Sequence, residues 1–193
     1  MMQNAMRSLS PSATDMIRMD HTHVNATFHR YKAETDPQTK QALAEMIFMA
    51  LEVHATIEEE IFYPAMREVQ ADRPVVDKSY PEHAELKRLI AKLREMQPTD
   101  PLYDKIFLDL MRDVLHHVAD EETTLLPDAE AALGTPRLQE IGGRMLKRRM
   151  ELTAPMMPAI AKNMFKAAPA TWMVVAAGAM LGMGLVARRA FAR

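Results

Sequence analysis

The chain contains no cysteine, which excludes a disulfide framework and every thiolate-ligated metal site. Any metal it bound would be held by nitrogen and oxygen, an arrangement compatible with a reducing cytosol. Glycine is scarce, six among 193 residues, and no long stretch alternates β-branched with polar residues. Both absences disfavour sheet and leave helix. Charge nearly cancels, with 24 Lys and Arg against 26 Asp and Glu, so nucleic acid is not expected as a partner. The first eight residues return to polar character before an apolar run of signal-peptide length develops, and no export signal is expected. What remains, 48% hydrophobic and 26% charged, is a globular composition. Most of the 18 methionines are assigned to core filling.

One stretch occurs twice. His54, Glu58, Glu59 and Pro64 return as His117, Glu121, Glu122 and Pro127 at matching offsets. The His and the first Glu of each copy are four residues apart and so share one face of a helix. Each copy is preceded by an acid and a His, Asp20-His21 and Glu82-His83, with 33 residues from His21 to His54 and 34 from His83 to His117. Residues 12–134 therefore read as two copies of one helix pair.

Four amphipathic helices are predicted. The first covers 11–34, with Ile17, His21, Val24, Phe28 and Tyr31 on one stripe. A second, about 37–68, carries Leu43, Ile47, Leu51, His54, Glu58 and Ile61. The third starts near Pro81, where proline suits a first turn, and carries His83, Leu86, Ile90 and Leu93. Leu102, Ile106, Leu110, Val114, His117, Glu121 and Leu125 mark the fourth, ending near Gly134. Short connections make the neighbours antiparallel, so the expected fold is all-α, an up-down four-helix bundle. Its interior would gather His21, His54, Glu58, His83, His117 and Glu121. Isolated buried carboxylates cost several kcal/mol to desolvate, and nothing basic shares their stripes. A metal centre resolves that conflict, and imidazole with carboxylate suits iron, manganese or zinc. Bridging by Glu58 and Glu121, with two His capping each ion, would leave open positions for oxygen species.

Other polar residues near these stripes read as ordinary surface. His116, about 100° round the helix from His117, faces solvent or supports a ligand. His23 and His29 lie off the stripe. Glu59 and Glu122 read as exposed acids, with a supporting role as the alternative. Phe62 and Tyr63 read as packing residues, a hydrogen bond from Tyr63 to the centre being the alternative. Lys87, one turn past His83, is expected to reach solvent.

Beyond the bundle the reading changes. Residues 135–169 form a basic stretch and a proline-containing linker, whose cations suit either anionic headgroups or a solvated face. Residues 170–187 contain no charge and would reach roughly 27 Å as a helix, the length of a bilayer's hydrocarbon core. They are expected to be a single transmembrane helix with a basic tail, 188–193, behind it, the bundle facing the cytoplasm. The alternative is a helix that packs on the bundle or mediates assembly. Gly178 and Gly182 have the small-residue spacing of membrane-helix dimers, which makes a homodimer an expectation.

Through Asp20-His21, His54 to Glu58-Glu59 with Phe62 and Pro64, Glu82-His83, and His117 to Glu121-Glu122 with Leu126 and Pro127, residues 15 to about 133 resemble the hemerythrin-like proteins with HHE cation-binding domains. The resemblance implies a non-haem di-iron centre with an oxo or hydroxo bridge, held by His21, His54, Glu58, His83, His117 and Glu121. It also implies O₂, peroxide or nitric oxide as small ligands in a redox or stress role, with O₂ sensing or metal storage as the alternatives to turnover. The O₂-carrying members place a second His where this chain has Lys87, and space their fourth-helix pair as His to Asp at five. These departures favour redox chemistry or sensing over reversible carriage.

Overall fold

A computed structural model describes residues 11–69 and 74–168. Helix α1 (Ala13–Phe28) opens on a reciprocal cap: Asp15 N–H donates to Ser12 Oγ (3.1 Å), and Ser12 N–H donates to the Asp15 carboxylate (3.3 Å). It stops short of the expected residue 34. Arg30 and Tyr31 bond three residues back, and the Tyr31 ring leaves the helical path to stack on Phe107 at 4.1 Å. Helix α2 (Pro37–Ile57) starts at Asp36, which accepts the Thr39 N–H (3.0 Å), with Pro37 at the first helical position.

Helix α2 runs into a π-helical turn, Glu58–Phe62, and then α3 (Tyr63–Val69). The same device recurs where α5 (Tyr103–Asp120) passes through a π turn, Glu121–Leu125, into α6 (Leu126–Thr153). The two prolines account for both. Pro64 and Pro127 have no N–H to give and their rings crowd the carbonyl four residues back. The residue before each, Tyr63 or Leu126, bonds five residues back instead, to Glu58 or Glu121. Widened turns of this kind are common at functional sites.

Helix α4 (Pro74–Glu95) begins a full turn and more before the expected Pro81, which lies inside it. Pro74 takes the first-turn role, and Val76 and Ser79 are buried ahead of Pro81. Helix α6 breaks at Gly134, whose φ of 68° lies in the left-handed region, and its second half returns along α1. A turn of 3₁₀ helix, Ala154–Met156, and α7 (Met157–Ala167) follow, α7 lying against α2.

Two apolar clusters fill the interior. One gathers Val24, Leu43, Ile47, Leu51, Leu86, Ile90, Phe107 and Leu110; the other gathers Ile17, Ile57, Phe62, Met66, Val76, Leu126 and Ile141. Along α1, α2, α4 and α5 the chain passes from one cluster to the other, in alternating direction. The up-down bundle is thereby established, and on each helix the His residues fall between the clusters.

The transmembrane expectation is corrected. Among the described residues no helix is long and apolar enough to cross a membrane; what they form is an all-helical bundle, and a membrane-tethered localisation has no support. Residues 170–187, on which that expectation rested, lie outside the described residues. Within the basic stretch Arg148 pairs with Glu60 (2.7 Å), Arg137 with Glu68 (2.9 Å), and Arg149 with Asp20 (2.7 Å), all acids of the bundle.

Candidate metal centre

All six residues singled out in the sequence meet in one layer between the apolar clusters. His21, His54, His83, His117, Glu58 and Glu121 are buried, both carboxylates completely. His54 Nε2 lies 3.1 Å from Glu58 Oε2, and His83 Nε2 lies 3.6 Å from the same oxygen. Across the layer, His21 Nε2 and His117 Nε2 lie 3.3 and 3.5 Å from Glu121 Oε2. His83 and His117 bring their Nε2 atoms to 3.0 Å of each other.

Every imidazole turns its other nitrogen to an outer carboxylate. His54 Nδ1 faces Asp20 (3.4 Å), His83 faces Glu59 (3.0 Å), His117 faces Glu82 (3.0 Å) and His21 faces Glu122 (2.9 Å). The order is cyclic: each helix supplies the carboxylate for the imidazole of the next, α1 to α2, α2 to α4, α4 to α5, and α5 back to α1. An ionised carboxylate only accepts, so each Nδ1–H donates outward and each Nε2 faces the interior of the layer. Glu59 and Glu122 thus support histidines of the layer; they are not idle surface acids. Their position one residue off the stripe hid this, although the doubled Glu in both copies was a visible signal. Lys87 clamps Glu59 with bonds of 2.8 and 2.9 Å and does not enter the layer. His23, His29 and His116 are exposed.

Tyr63 departs from its packing role. Its hydroxyl sits between the two carboxylates, 2.8 Å from Glu121 Oε1 and 3.1 Å from Glu58 Oε2, and its ring is fully buried. The π turn places it there, five residues after Glu58. Phe62 packs in the apolar cluster as expected.

The electrostatics of the layer call for a cation. Burial and the facing Glu121 push the Glu58 carboxyl well above the usual carboxylate range. Burial acts upward on Glu121 too, yet His117, His21 and His54 outweigh it and hold it at about 2. Burial, with His117 and His54 beside it, pushes His83 down to about 2. His83 and His117 bring their Nε2 atoms close enough for one cation between them to be held by both. Three inward atoms, His21 Nε2, Glu58 Oε1 and Glu121 Oε2, are buried without a hydrogen-bond partner, which is unusual for buried polar groups. Two overlapping sets have metal-binding proportions: His54, Glu58, His83 and His117, and His21, His54, Glu58 and Glu121, one ligand atom per residue within 4.8 Å of the others. His54 and Glu58 belong to both.

The comparisons with known proteins agree with this geometry. The Hemerythrin HHE cation binding domain family matches residues 12–147. A DNA nickase from Nostoc sp. is 35% identical over 111 residues, 58% of this chain. The match spans 31% of that nickase, about a third of its length. An uncharacterised protein from Mycobacterium tuberculosis is 24% identical over 144 residues, 73% of this chain and 87% of that protein. The crystal structure of a hemerythrin HHE cation binding domain-containing protein from Mycobacterium kansasii shares the fold, with a TM-score of 0.65 at 17% identity over 78% of this chain and 93% of that one. With its bundle matched from end to end and its His and Glu residues gathered in a buried cation-binding layer, the chain belongs to the hemerythrin HHE cation-binding domain family.

Proposed function

We propose that the layer holds two iron ions, with His21, His54, His83 and His117 as terminal ligands and Glu58 and Glu121 as bridges. The observation that carries this reading is the set of four inward Nε2 atoms, each turned toward the layer by its own outer carboxylate, around two buried carboxylates. Outer-sphere carboxylates of this kind orient imidazole ligands and raise their basicity. A donor set of imidazole and carboxylate without sulfur suits iron ahead of soft metals, with manganese and zinc the ions it must be distinguished from.

When bound, such a pair of ions supplies open positions for redox chemistry on small oxygen or nitrogen species. The chain's own residues limit what reaches them. Beside the imidazoles, Val24, Leu51, Leu86 and Val114 bound a cavity of about 10 Å³, room for one water-sized molecule. A space that small favours the smallest ligands, the class to which O₂, peroxide and nitric oxide belong. Tyr63 offers an O–H donor between the carboxylates, and burial keeps its own proton in place by pushing its pKa well above the ordinary value.

Metal analysis and the optical spectrum of the full chain, purified away from chelators, test the proposal. Two irons per chain with the absorption of an oxygen-bridged diferric pair support it. Stoichiometric zinc or manganese, or no bound metal, overturns it. A second reading, sensing without turnover, is favoured by the Asp20 carboxylate, which holds His54 on one side and Arg149 of α6 on the other. Multiple-turnover peroxide consumption favours chemistry, whereas stoichiometric binding that alters assembly favours sensing.

A further inference from the structure

The end of α6, the 3₁₀ turn and α7 present a surface that the metal layer does not use. Of the nine large apolar side chains exposed among the described residues, four lie on this strip: Met150, Met157, Met164 and Phe165, each more than half exposed. Apolar exposure concentrated in this way marks an interaction face. Met150, Met157 and Met164 recur every seven residues, and Ala154, Ala161 and Ala168 fall between and after them at steps of four and three. The helical path from Met150 to Ala168 therefore alternates methionine and alanine at the spacing of a coiled-coil seam. Ala154 and Ala161 are exposed as well. The adjoining line turns toward the bundle: Met156 and Ile160 are half-buried and Ala167 is buried, where α7 lies against α2.

The alternation is complementary to itself. When two such helices run antiparallel about a two-fold axis beside Ala159, Met150 faces Ala168 of the other copy, Ala154 faces Met164, and Met157 faces Ala161. Every methionine then inserts over an alanine, and its unbranched chain adjusts to the fit. A parallel pair would set methionine on methionine and alanine on alanine, alternating crowding with gaps that close packing disfavours. Charge points the same way. Glu151 is the exposed acid at one end of the seam, and Arg148, bound to Glu60 at 2.7 Å, reaches it only at 3.4 Å. Lys162 and Lys166 stand toward the other end. Antiparallel pairing brings these opposite charges together, whereas parallel pairing stacks lysine on lysine. Two-fold contacts that use the same patch on both subunits are the commonest route to homo-oligomers.

We propose that two copies of the chain pair antiparallel through this methionine-alanine seam. One helix pair of roughly 27 Å lies at the small end of stable interfaces, so a Kd of about micromolar is expected. Sedimentation of the full chain across that concentration range is the test. Ala161→Glu sets a carboxylate at the centre of the seam and weakens association about a hundredfold or more, while helicity and metal content are kept. Met164→Glu serves the same purpose if Ala161→Glu does not fold. Because the chain has no cysteine, introduced thiols report the register. Under mild oxidation Met157→Cys chains mixed with Ala161→Cys chains cross-link, and Met150→Cys chains mixed with Ala161→Cys chains do not. A wild type that stays monomeric well above micromolar concentration overturns the proposal. If the Met157→Cys thiol of that monomer also resists alkylation, the chain's own residues beyond Ala168 cover the seam instead. A dimer that both Glu variants leave intact overturns it too and assigns association to other residues. So does cross-linking of the Met150→Cys and Ala161→Cys mixture in place of the expected one.

Discussion

The Nδ1–H of His54 donates to Asp20 across 3.4 Å, although Asp20 is the sequence neighbour of a different layer residue, His21. The acid that precedes one histidine thus orients the histidine of the next helix. Arg149 neutralises and holds that acid from the far side, and hydrogen bonds from both His54 and Arg149 keep its carboxyl below the usual carboxylate range against the opposing effect of burial.

Asp20→Asn retains size but turns an obligate acceptor into an amide that can also donate. His54 is then free to take the wrong tautomer. Supporting carboxylates of this kind are worth roughly 10–100-fold in metal affinity, and a fall of that size is expected in competition with a chelator. Glu82→Gln, acting on His117 in the second helix pair, should match it. Affinity unchanged in both variants would remove the orienting role.

Glu58→Gln separates the needs of the metal from the needs of the fold. In the metal-free protein Glu58 is fully buried and its carboxyl resists ionisation, so the amide removes a penalty that applies at neutral pH. The metal-free variant is expected to melt above metal-free wild type at pH 7. Metal loading should fall, because an amide is a weaker and uncharged ligand. Calorimetric melting with and without chelator reads both effects; metal content unchanged from wild type in both Glu58→Gln and Glu121→Gln would rule out bridging by either carboxylate.

Acid should weaken the metal-free protein through His83. Its folded-state pKa is pushed from about 6.5 down to about 2 by burial and by His117, so below pH 6.5 the unfolded chain takes up a proton that the folded chain refuses. Stability from this group is therefore present above 6.5 and lost as pH falls. Glu121 adds to the loss below about 4.5, while Glu58, shifted upward, opposes it. Comparing slopes isolates the histidine: between pH 7 and 5 the urea midpoint of chelated wild type should decline more steeply than that of His83→Gln. Parallel slopes would count against the shift.

How far the sequence carried this picture depends on the range of the information. The six layer residues were legible because each sits on a stripe fixed by the local helical period, and because the pattern repeats. Glu59, Glu82, Glu122 and Asp20 were not assigned to their partners, since each serves a histidine on a neighbouring helix and the pairing exists only once four helices are placed side by side. The π turns had a local cause in Pro64 and Pro127, yet their consequence, bringing Tyr63 between the carboxylates, depends on a change of register that a uniform helical period misses. Pro81 misled in the other direction, because a proline compatible with a helix start is also tolerated inside a helix held by tertiary packing.

Tyr63→Phe removes the hydroxyl that serves both carboxylates and leaves the ring. Loss of a buried donor to an ionised carboxylate, here Glu121, costs about 1–3 kcal/mol. That cost should appear in the metal-free protein, where Tyr63 is a donor common to Glu58 and Glu121. Bound metal satisfies the same oxygens, so the difference between variant and wild type should shrink on loading. A constant difference in both states would mean that the hydroxyl acts only through packing.

Two adjacent glycines give the fold its most discriminating test. At Gly142 an added Cβ would stand 2.3 Å from the Pro11 carbonyl oxygen, with Ser12 and Ala13 backbone atoms at 2.8 and 2.9 Å. All three are main-chain atoms at the capped start of α1 and cannot rotate away. Gly142→Ala must therefore push α6 off α1, and a loss of roughly 1–3 kcal/mol is expected, as for overpacking elsewhere. At Gly143 a Cβ would meet nothing within 4 Å. Alanine there removes the backbone entropy cost of a helical glycine and should add about 0.5–1 kcal/mol. Because α6 also carries Arg149 to Asp20, Gly142→Ala should weaken metal retention through His54, while Gly143→Ala leaves it unchanged. Thermal melts and chelator competition on the pair decide the matter: equal effects at the two positions would show that the α1–α6 contact is not close enough to demand glycine, and lowered stability with intact metal retention would uncouple that contact from the layer.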